Sequence, residues 1–128
     1  MPLKGIILTT GGAGFIGSHL VEALLAMEDV EKVVVLDDLS TGSLANLAAC
    51  LNDDRLELVR EHVEESRHLL SLVGQADYVF HLAARVSVQE SVKEPSLTHR
   101  VNVGGSLAVL EAVREADVER LVLASSCA

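Results

Sequence analysis

Four glycines fall within seven residues in the run Thr10-Gly11-Gly12-Ala13-Gly14-Phe15-Ile16-Gly17, and Gly11, Gly14 and Gly17 stand three apart. The cluster separates the apolar run Gly5-Ile6-Ile7-Leu8-Thr9 from a segment where Phe15, Ile16, His19, Leu20, Ala23, Leu24 and Met27 recur at steps of three and four. The first run has the length and content of a strand; the second predicts an amphipathic helix from about Phe15 to Ala26. A strand that turns through glycine directly into a helix leaves the first helical N–H groups without side-chain cover. Such an opening suits a diphosphate, whose charge must meet those N–H groups at close range. Gly17, one turn into the helix, is expected to let the helix lie tight against the strand, since a mid-helix glycine costs about 1 kcal/mol relative to alanine.

Short apolar runs then alternate with amphipathic stretches to the end of the chain, the order of β-α-β units feeding a parallel sheet. Lys32-Val33-Val34-Val35-Leu36, Leu56-Glu57-Leu58-Val59, Tyr78-Val79-Phe80-His81-Leu82 and Arg120-Leu121-Val122-Leu123-Ala124 read as the remaining strands. Helices are expected over about Glu64 to Leu72 and, after Pro95, from about Leu97 to Glu115, with one or two turns within 43–51. Apolar residues are 49% of the sequence and aromatics only 2%, so the core must be filled by Val, Leu, Ala and Ile, as in buried parallel strands. The fold class is therefore α/β: a Rossmann-type, doubly wound parallel sheet of about five strands in order 3-2-1-4-5, forming one domain over residues 1–128.

Acidic residues outnumber basic ones 19 to 10, a formal net charge of -9, which argues against nucleic acid as a partner. An anionic cofactor must then be held by backbone N–H groups rather than by a basic patch. No apolar run reaches the length of a membrane span and the N-terminus shows no signal-peptide pattern, so a cytoplasmic, non-membrane protein is expected. Cys50 and Cys127 are far apart, with no Cys-x-x-Cys pair and no Cys/His cluster; they read as free thiols, and no metal site is indicated.

Asp37 ends the second strand, twenty residues after Gly17, where a dinucleotide fold places a carboxylate on the adenosine ribose hydroxyls. Asp38 follows it, and no Arg or Lys stands between Leu36 and Asn52 to receive a 2′-phosphate. A phosphate charge about 4 Å from Asp37 would meet repulsion on the order of 4 kcal/mol, so NAD is favoured over NADP. The imidazole of His81, at a strand end with no carboxylate near it in sequence, reads as structural.

The run from Thr10 to Leu20, then Val35-Leu36-Asp37-Asp38-Leu39-Ser40-Thr41-Gly42, then His81-Leu82-Ala83-Ala84, resembles the extended short-chain dehydrogenase/reductase superfamily. Its NAD-dependent nucleotide-sugar epimerases and dehydratases are the most similar, the UDP-glucose 4-epimerases above all. The likeness continues through Val88-Gln89-Glu90-Ser91-Val92 and Pro95, through Val101-Asn102-Val103-Gly104-Gly105-Ser106, and into Leu121-Val122-Leu123-Ala124-Ser125-Ser126. It implies that Gly11, Gly14, Phe15, Ile16 and Gly17 line a pyrophosphate, and that Asp37, Asp38, Ser40, Thr41 and Gly42 surround the adenosine end. It further implies that Leu82, Ala83 and Ala84 run beside the ribose and nicotinamide half, that Asn102 supports the site through hydrogen bonds, and that Ser126 binds the sugar hydroxyl being oxidised. Two positions depart from the family pattern. Where a Gly-Asp-aliphatic run is usual after the third strand, with the Asp on adenine, this chain has Glu61-His62-Val63; where a Lys often follows the His-x-Ala-Ala run, it has Val86 beside Arg85.

The family's chemistry uses a Tyr that removes a hydroxyl proton and a Lys four residues later that lowers the Tyr pKa. The only tyrosine is Tyr78, and four residues on stands Leu82. The expectation is an NAD-binding portion, truncated before a sixth strand and the substrate region and not catalytic alone, with a nucleotide sugar as partner only in a longer form. The alternative is a non-catalytic NAD-binding sensor or interaction module; an S-adenosylmethionine binder, which shares an acid at the end of the second strand, is the third. Self-association is expected, because the fifth strand would lack a neighbour on one side.

Overall fold

A computed structural model describes residues 2–126, and Cys127 lies outside them. Five strands, β1 (Gly5–Thr10), β2 (Val30–Leu36), β3 (Leu56–Val59), β4 (Tyr78–His81) and β5 (Arg120–Leu123), form one sheet in the order β3-β2-β1-β4-β5. Every pairing is parallel. The order reverses between β1 and β4, the topological switch point beside which doubly wound sheets bind ligands. The register brings Val59, Leu36, Thr10, His81 and Leu123 into one row across the carboxyl ends, so the segments that follow all open on the same edge.

Side chains alternate along the strands and fill two cores, one on each face of the sheet. Ile7, Val33 and Val35 pack with Val21, Leu24 and Leu25 of α1 (Phe15–Leu25) and with Leu47 from a short 3₁₀ turn at Leu44–Leu47. Leu8, Val34, Leu36 and Val79 pack on the other face with Leu69 and Val73 of α2 (Leu69–Gln75) and Val109 and Ala112 of α5 (Gly105–Glu115). The buried Cys50 is a free thiol in the first core. Branched and small aliphatic side chains fill both layers, as the near absence of aromatics requires.

The predicted helices need four corrections. The buried stripe of α1 is Gly17, Ser18, Val21, Leu24 and Leu25, whereas Phe15 and Ile16 are 79% and 68% exposed. They are apolar for a reason other than the core. The stretch around Glu64 to Leu72 is not one helix: a 3₁₀ turn at Val63–Glu65 is separated from α2, which starts only at Leu69. Ser66, in extended conformation, breaks it, and its hydroxyl hydrogen-bonds the Glu61 carboxylate, the local alternative to helix that serine offers. A helix not foreseen, α3 (Val88–Lys93), is opened by Ser87, whose hydroxyl accepts from Glu90 N–H. The helix after Pro95 is α4 (Pro95–His99), then a π-helical turn at Arg100–Gly104, then α5; Gly105 N–H donates to the Arg100 carbonyl five residues back.

Candidate functional site

At the end of β1 the chain turns at Gly11, with φ +72°, and a Cβ there would stand 2.7 Å from Ala83 N. Only glycine meets both demands. Gly12 is pressed on Val35, and a Cβ on Gly17 would run into the Gly11 carbonyl oxygen and lie 2.7 Å from Gly12 Cα. Gly17 is therefore fitted to the loop itself, a tighter constraint than the helix-to-strand packing expected of it. At Gly14 a Cβ would meet only Gly11 O, at 3.3 Å. Of the three spaced glycines, Gly14 is the one whose missing side chain leaves open space.

Gly14 is the N-cap residue of α1 and supplies no side-chain cap. Its own N–H goes to Gly11 O and its carbonyl accepts from Ser18 N–H. Among the described residues the N–H groups of Phe15, Ile16 and Gly17 make no such bond, and the Phe15 and Ile16 side chains stand out in solvent beside them. This is a row of bare donors at the positive end of a helix.

Asp37, only 8% exposed, sits directly under this turn. Its Oδ2 accepts from Ala13 N–H and its Oδ1 from Leu39 N–H, both at 2.9 Å. The carboxylate thus ties the end of β2 to the glycine turn and keeps one acceptor site on each oxygen. Ala13 O is held in turn by Ser43 N–H and the Asn46 amide, and Gly42 lies so close to Ala13 that a Cβ would be 2.8 Å from its carbonyl. Leu39 takes up a left-handed conformation at φ +60° to make this return. Ser40 and Thr41 lie on it, with no regular structure.

Asp38 accepts from the Ser40 N–H and hydroxyl on Oδ1 and faces His62 Nδ1 at 2.8 Å on Oδ2. Partial burial pushes its carboxyl upward, but the Ser40 donors and the His62 ring outweigh that and hold it below the usual carboxylate range. His62 is thereby brought to Asp38 rather than left alone. Val63, next to it, is buried in the second core against Gly105, so its side chain does not open on this edge.

Leu82, Ala83 and Ala84 run out from β4 past the glycine turn, pinned by Leu82 N–H to Thr10 O and Ala83 N–H to the Thr10 hydroxyl. Asn102, in the π turn, clamps the next residue: its Oδ1 accepts from Arg85 N–H at 2.7 Å and its Nδ2 donates to Arg85 O at 2.9 Å. The π turn itself is tied to β4 through His81, which is 3% exposed. Its Nδ1 meets Thr10 Oγ1 at 2.7 Å and its Nε2 meets Ser106 Oγ at 3.0 Å, while Ser106 Oγ donates to Asn102 O. Since Ser106 spends its proton on Asn102, His81 Nε2 carries the donor hydrogen and Nδ1 accepts from Thr10. Burial holds this imidazole below its ordinary pKa, in keeping with the single-proton form. Thr10, His81 and Ser106 were invisible as a set in sequence, being 71 and 25 residues apart. Ser126 is exposed beyond β5, on the same edge of the sheet.

Two hollows lie near these elements. One, of about 140 Å³, is lined by Asp38, Ser40, His62, Arg85, Leu97 and Val101 among others, and Arg85 Nε is buried there with no hydrogen-bond partner among the described residues. A larger groove of about 400 Å³ lies beside α2, away from the glycine turn, and its charges are largely paired as Lys32–Glu57 and His68–Glu61. The smaller hollow opens beside the ends of β2 and β3, with Glu64, Glu65 and Arg100 also in its wall. Bare helix N–H groups, an opening kept by Gly14, an acidic strand end and an orphan Arg85 donor together fit an elongated anionic nucleotide laid across the switch point. No group of His, Cys, Asp and Glu among the described residues is arranged to hold a metal.

Residues 7–128 match the NAD dependent epimerase/dehydratase family. The chain is 44% identical over 121 residues to a UDP-glucose 4-epimerase of Mycolicibacterium smegmatis, covering 93% of this chain and 38% of that one. It is 36% identical over 113 residues to a dTDP-glucose 4,6-dehydratase of the same organism, covering 88% and 34%. Among solved structures it superposes on a UDP-N-acetylglucosamine 4-epimerase from Methanobrevibacter ruminantium with a TM-score of 0.88 at 36% identity, covering 98% and 39%. A dTDP-glucose 4,6-dehydratase from Streptomyces venezuelae, solved with NAD bound, gives 0.84 at 36%, covering 91% and 38%. The chain therefore spans a little over a third of the length of the proteins it matches. With the glycine turn and strand order in place and the match running nearly end to end, the chain belongs to the NAD dependent epimerase/dehydratase family, whose cofactor is NAD.

Proposed function

We propose that residues 1–128 form one NAD-binding unit of a nucleotide-sugar epimerase or dehydratase, similar to the UDP-glucose 4-epimerases, and that these residues alone do not turn over a sugar nucleotide. The observation that carries the reading is the row of unbonded N–H groups of Phe15, Ile16 and Gly17 at the mouth kept open by Gly14. These donors hold the pyrophosphate by hydrogen bonds and helix-end charge, which suits a chain of net charge -9 with no basic patch to spare. Asp37 and Asp38 take the ribose hydroxyls at the end of β2 and repel a 2′-phosphate, with Ser40, Thr41 and Gly42 closing round the adenosine. Leu82, Ala83 and Ala84 form the floor under the nicotinamide half, and Asn102 keeps that floor in place through Arg85. NAD, when bound, supplies the hydride acceptor. Ser126 stands at the edge where a sugar hydroxyl would be held.

Calorimetry on the chain tests the reading directly: NAD binds with measurable heat, NADP at least tenfold more weakly, and S-adenosylmethionine not at all. No heat with NAD from a folded sample overturns it. Incubation with UDP-glucose and NAD should leave the sugar unchanged; epimerisation by this chain alone would overturn the non-catalytic part.

A further inference from the structure

We infer that His81, acting through Ser106, positions the nicotinamide end of the cofactor: its imidazole is the crossbar between the two anchors that hold the floor at Leu82, Ala83 and Ala84. The inference rests on the NAD reading and adds to it two positioning residues that reach the ligand only through others.

The floor is a short span fixed at both ends. At its start the N–H groups of Leu82 and Ala83 donate to the carbonyl and hydroxyl of Thr10, the last residue of β1. At its far end both main-chain groups of Arg85 are taken by the Asn102 side chain, in the π turn. Ala84 lies between them, exposed, and makes no hydrogen bond of its own among the described residues. Where the floor lies is therefore set by the separation and tilt of Thr10 and Asn102. These two belong to different elements, and His81 joins them.

The bonds close into a circuit. Ala83 N–H donates to the Thr10 hydroxyl, and that hydroxyl donates to His81 Nδ1 at 2.7 Å. On the other side of the ring Nε2–H donates to Ser106 Oγ at 3.0 Å, and Ser106 donates to the Asn102 carbonyl at 2.7 Å. Asn102 then grips Arg85, two residues beyond Ala83. Each hydroxyl has one hydrogen to give and the neutral imidazole has one, so no member can be reversed without leaving another unpaired. A planar ring also has no torsion between its two nitrogens, so it holds its partners at a set spacing. Thr10 is fully buried and His81 is 3% exposed, which leaves little room for water to take over either bond. Any buried histidine needs partners; here the partners are the two ends of the floor.

The test compares NAD with ADP-ribose, which lacks only the nicotinamide ring, by calorimetry at pH 8. The native chain should bind NAD about fivefold tighter than ADP-ribose, a difference of about 1 kcal/mol. Ser106→Ala opens the circuit without altering Thr10, His81 or the Asn102 side chain. In it the preference should vanish while ADP-ribose affinity stays within about twofold, a change of about 0.4 kcal/mol. Ser106→Thr, which keeps the hydroxyl, should restore the preference. NADH adds a spectroscopic signature: its nicotinamide emission should strengthen and shift to the blue on the native chain and on Ser106→Thr, and stay like that of free NADH when bound to Ser106→Ala. His81→Phe should repeat the Ser106→Ala pattern; where it does not fold, the two Ser106 variants decide alone. A preference that survives Ser106→Ala, a native chain without one, no rescue by threonine, or equal loss of both ligands, as a merely structural role would give, each overturns the inference and leaves the NAD reading standing. Failure of both ligands to bind the folded native chain overturns the two together.

Discussion

On the β2–β3 side of the glycine turn, the strand ends are wired to one another: Asp37 to Ala13 and Leu39, Ala13 to Ser43 and Asn46, Asp38 to Ser40 and His62. On the β5 side the same edge carries few such ties and much apolar surface, with Val122 and Leu123 of β5 and Leu107 and Leu110 of α5 all above 40% exposed. The first region is held by hydrogen bonds between its own residues. The second is packed on its inner face by Val109 and Ala112, but its outer face has nothing over it among the described residues to punish change. The contrast teaches that the half assigned to the pyrophosphate and adenosine is preorganised by this chain's own hydrogen bonds, and that effects of substitution should divide along the same line.

The largest effect is expected at the turn itself. Gly17→Ala places a methyl group on the Gly11 carbonyl with no flexible neighbour to yield, and should cost about 3 kcal/mol in urea unfolding and abolish NAD binding. A variant that folds and binds like the native chain would remove the reason for calling this region rigid. Next, Leu24→Ala, in the fully buried stripe of α1, should cost about 3 kcal/mol, while Leu110→Ala on exposed α5 should stay within about 0.5. Equal losses at the two sites would break the comparison.

A smaller effect, of known sign, follows from His81. Its imidazole is held below the ordinary value of 6.5 by burial, so the unfolded chain takes up this proton before the folded one does. Stability is then fully present above about pH 6.5 and falls as the pH drops from there toward the folded value. Denaturant midpoints measured from pH 8 to pH 5 should fall on acidification, and less so in His81→Asn. The Asp38 carboxyl, held below its ordinary 3.8, acts in the same direction but only lower, its contribution present above about 3.8 and lost beneath it. A flat profile between pH 8 and 5 would mean that the Thr10–His81–Ser106 chain does not survive in solution.

The fold was legible in the sequence because parallel strands and their crossover helices obey local rules. Runs such as Lys32 to Leu36 are too apolar to be anything but buried, and glycine between strand and helix marks where the chain turns. The site was legible only where its residues are neighbours in sequence. Gly14, Asp37 and Asn102 fall under motifs of fixed spacing, but a motif does not say what a side chain touches: Asp37 braces Ala13, and Asn102 holds Arg85 by its main chain. The buried stripe of α1 departs from the periodic one because Phe15 and Ile16 continue the helical period while facing solvent, and periodicity alone does not tell a core face from an exposed apolar one. The Thr10–His81–Ser106 chain and the Asp38–His62 pair had no signal at all, being made by the pairing of distant strand ends.

The π turn at Arg100–Gly104 amounts to one residue more than a regular helix would spend between Pro95 and Glu115. That surplus acts as a phase shift. Ahead of it the helix is oriented to set Leu97 at the hollow, and behind it to sink Val109 and Ala112 into the sheet. Removing a single residue here would let the coil close into an ordinary α-helix, with every backbone bond satisfied and hardly a trace in a circular dichroism spectrum. It would also swing the front segment by about 100° about the axis, the turn per residue of an α-helix. The resulting protein would look intact by its helix content while the wall that Leu97 gives the hollow had rotated out of place.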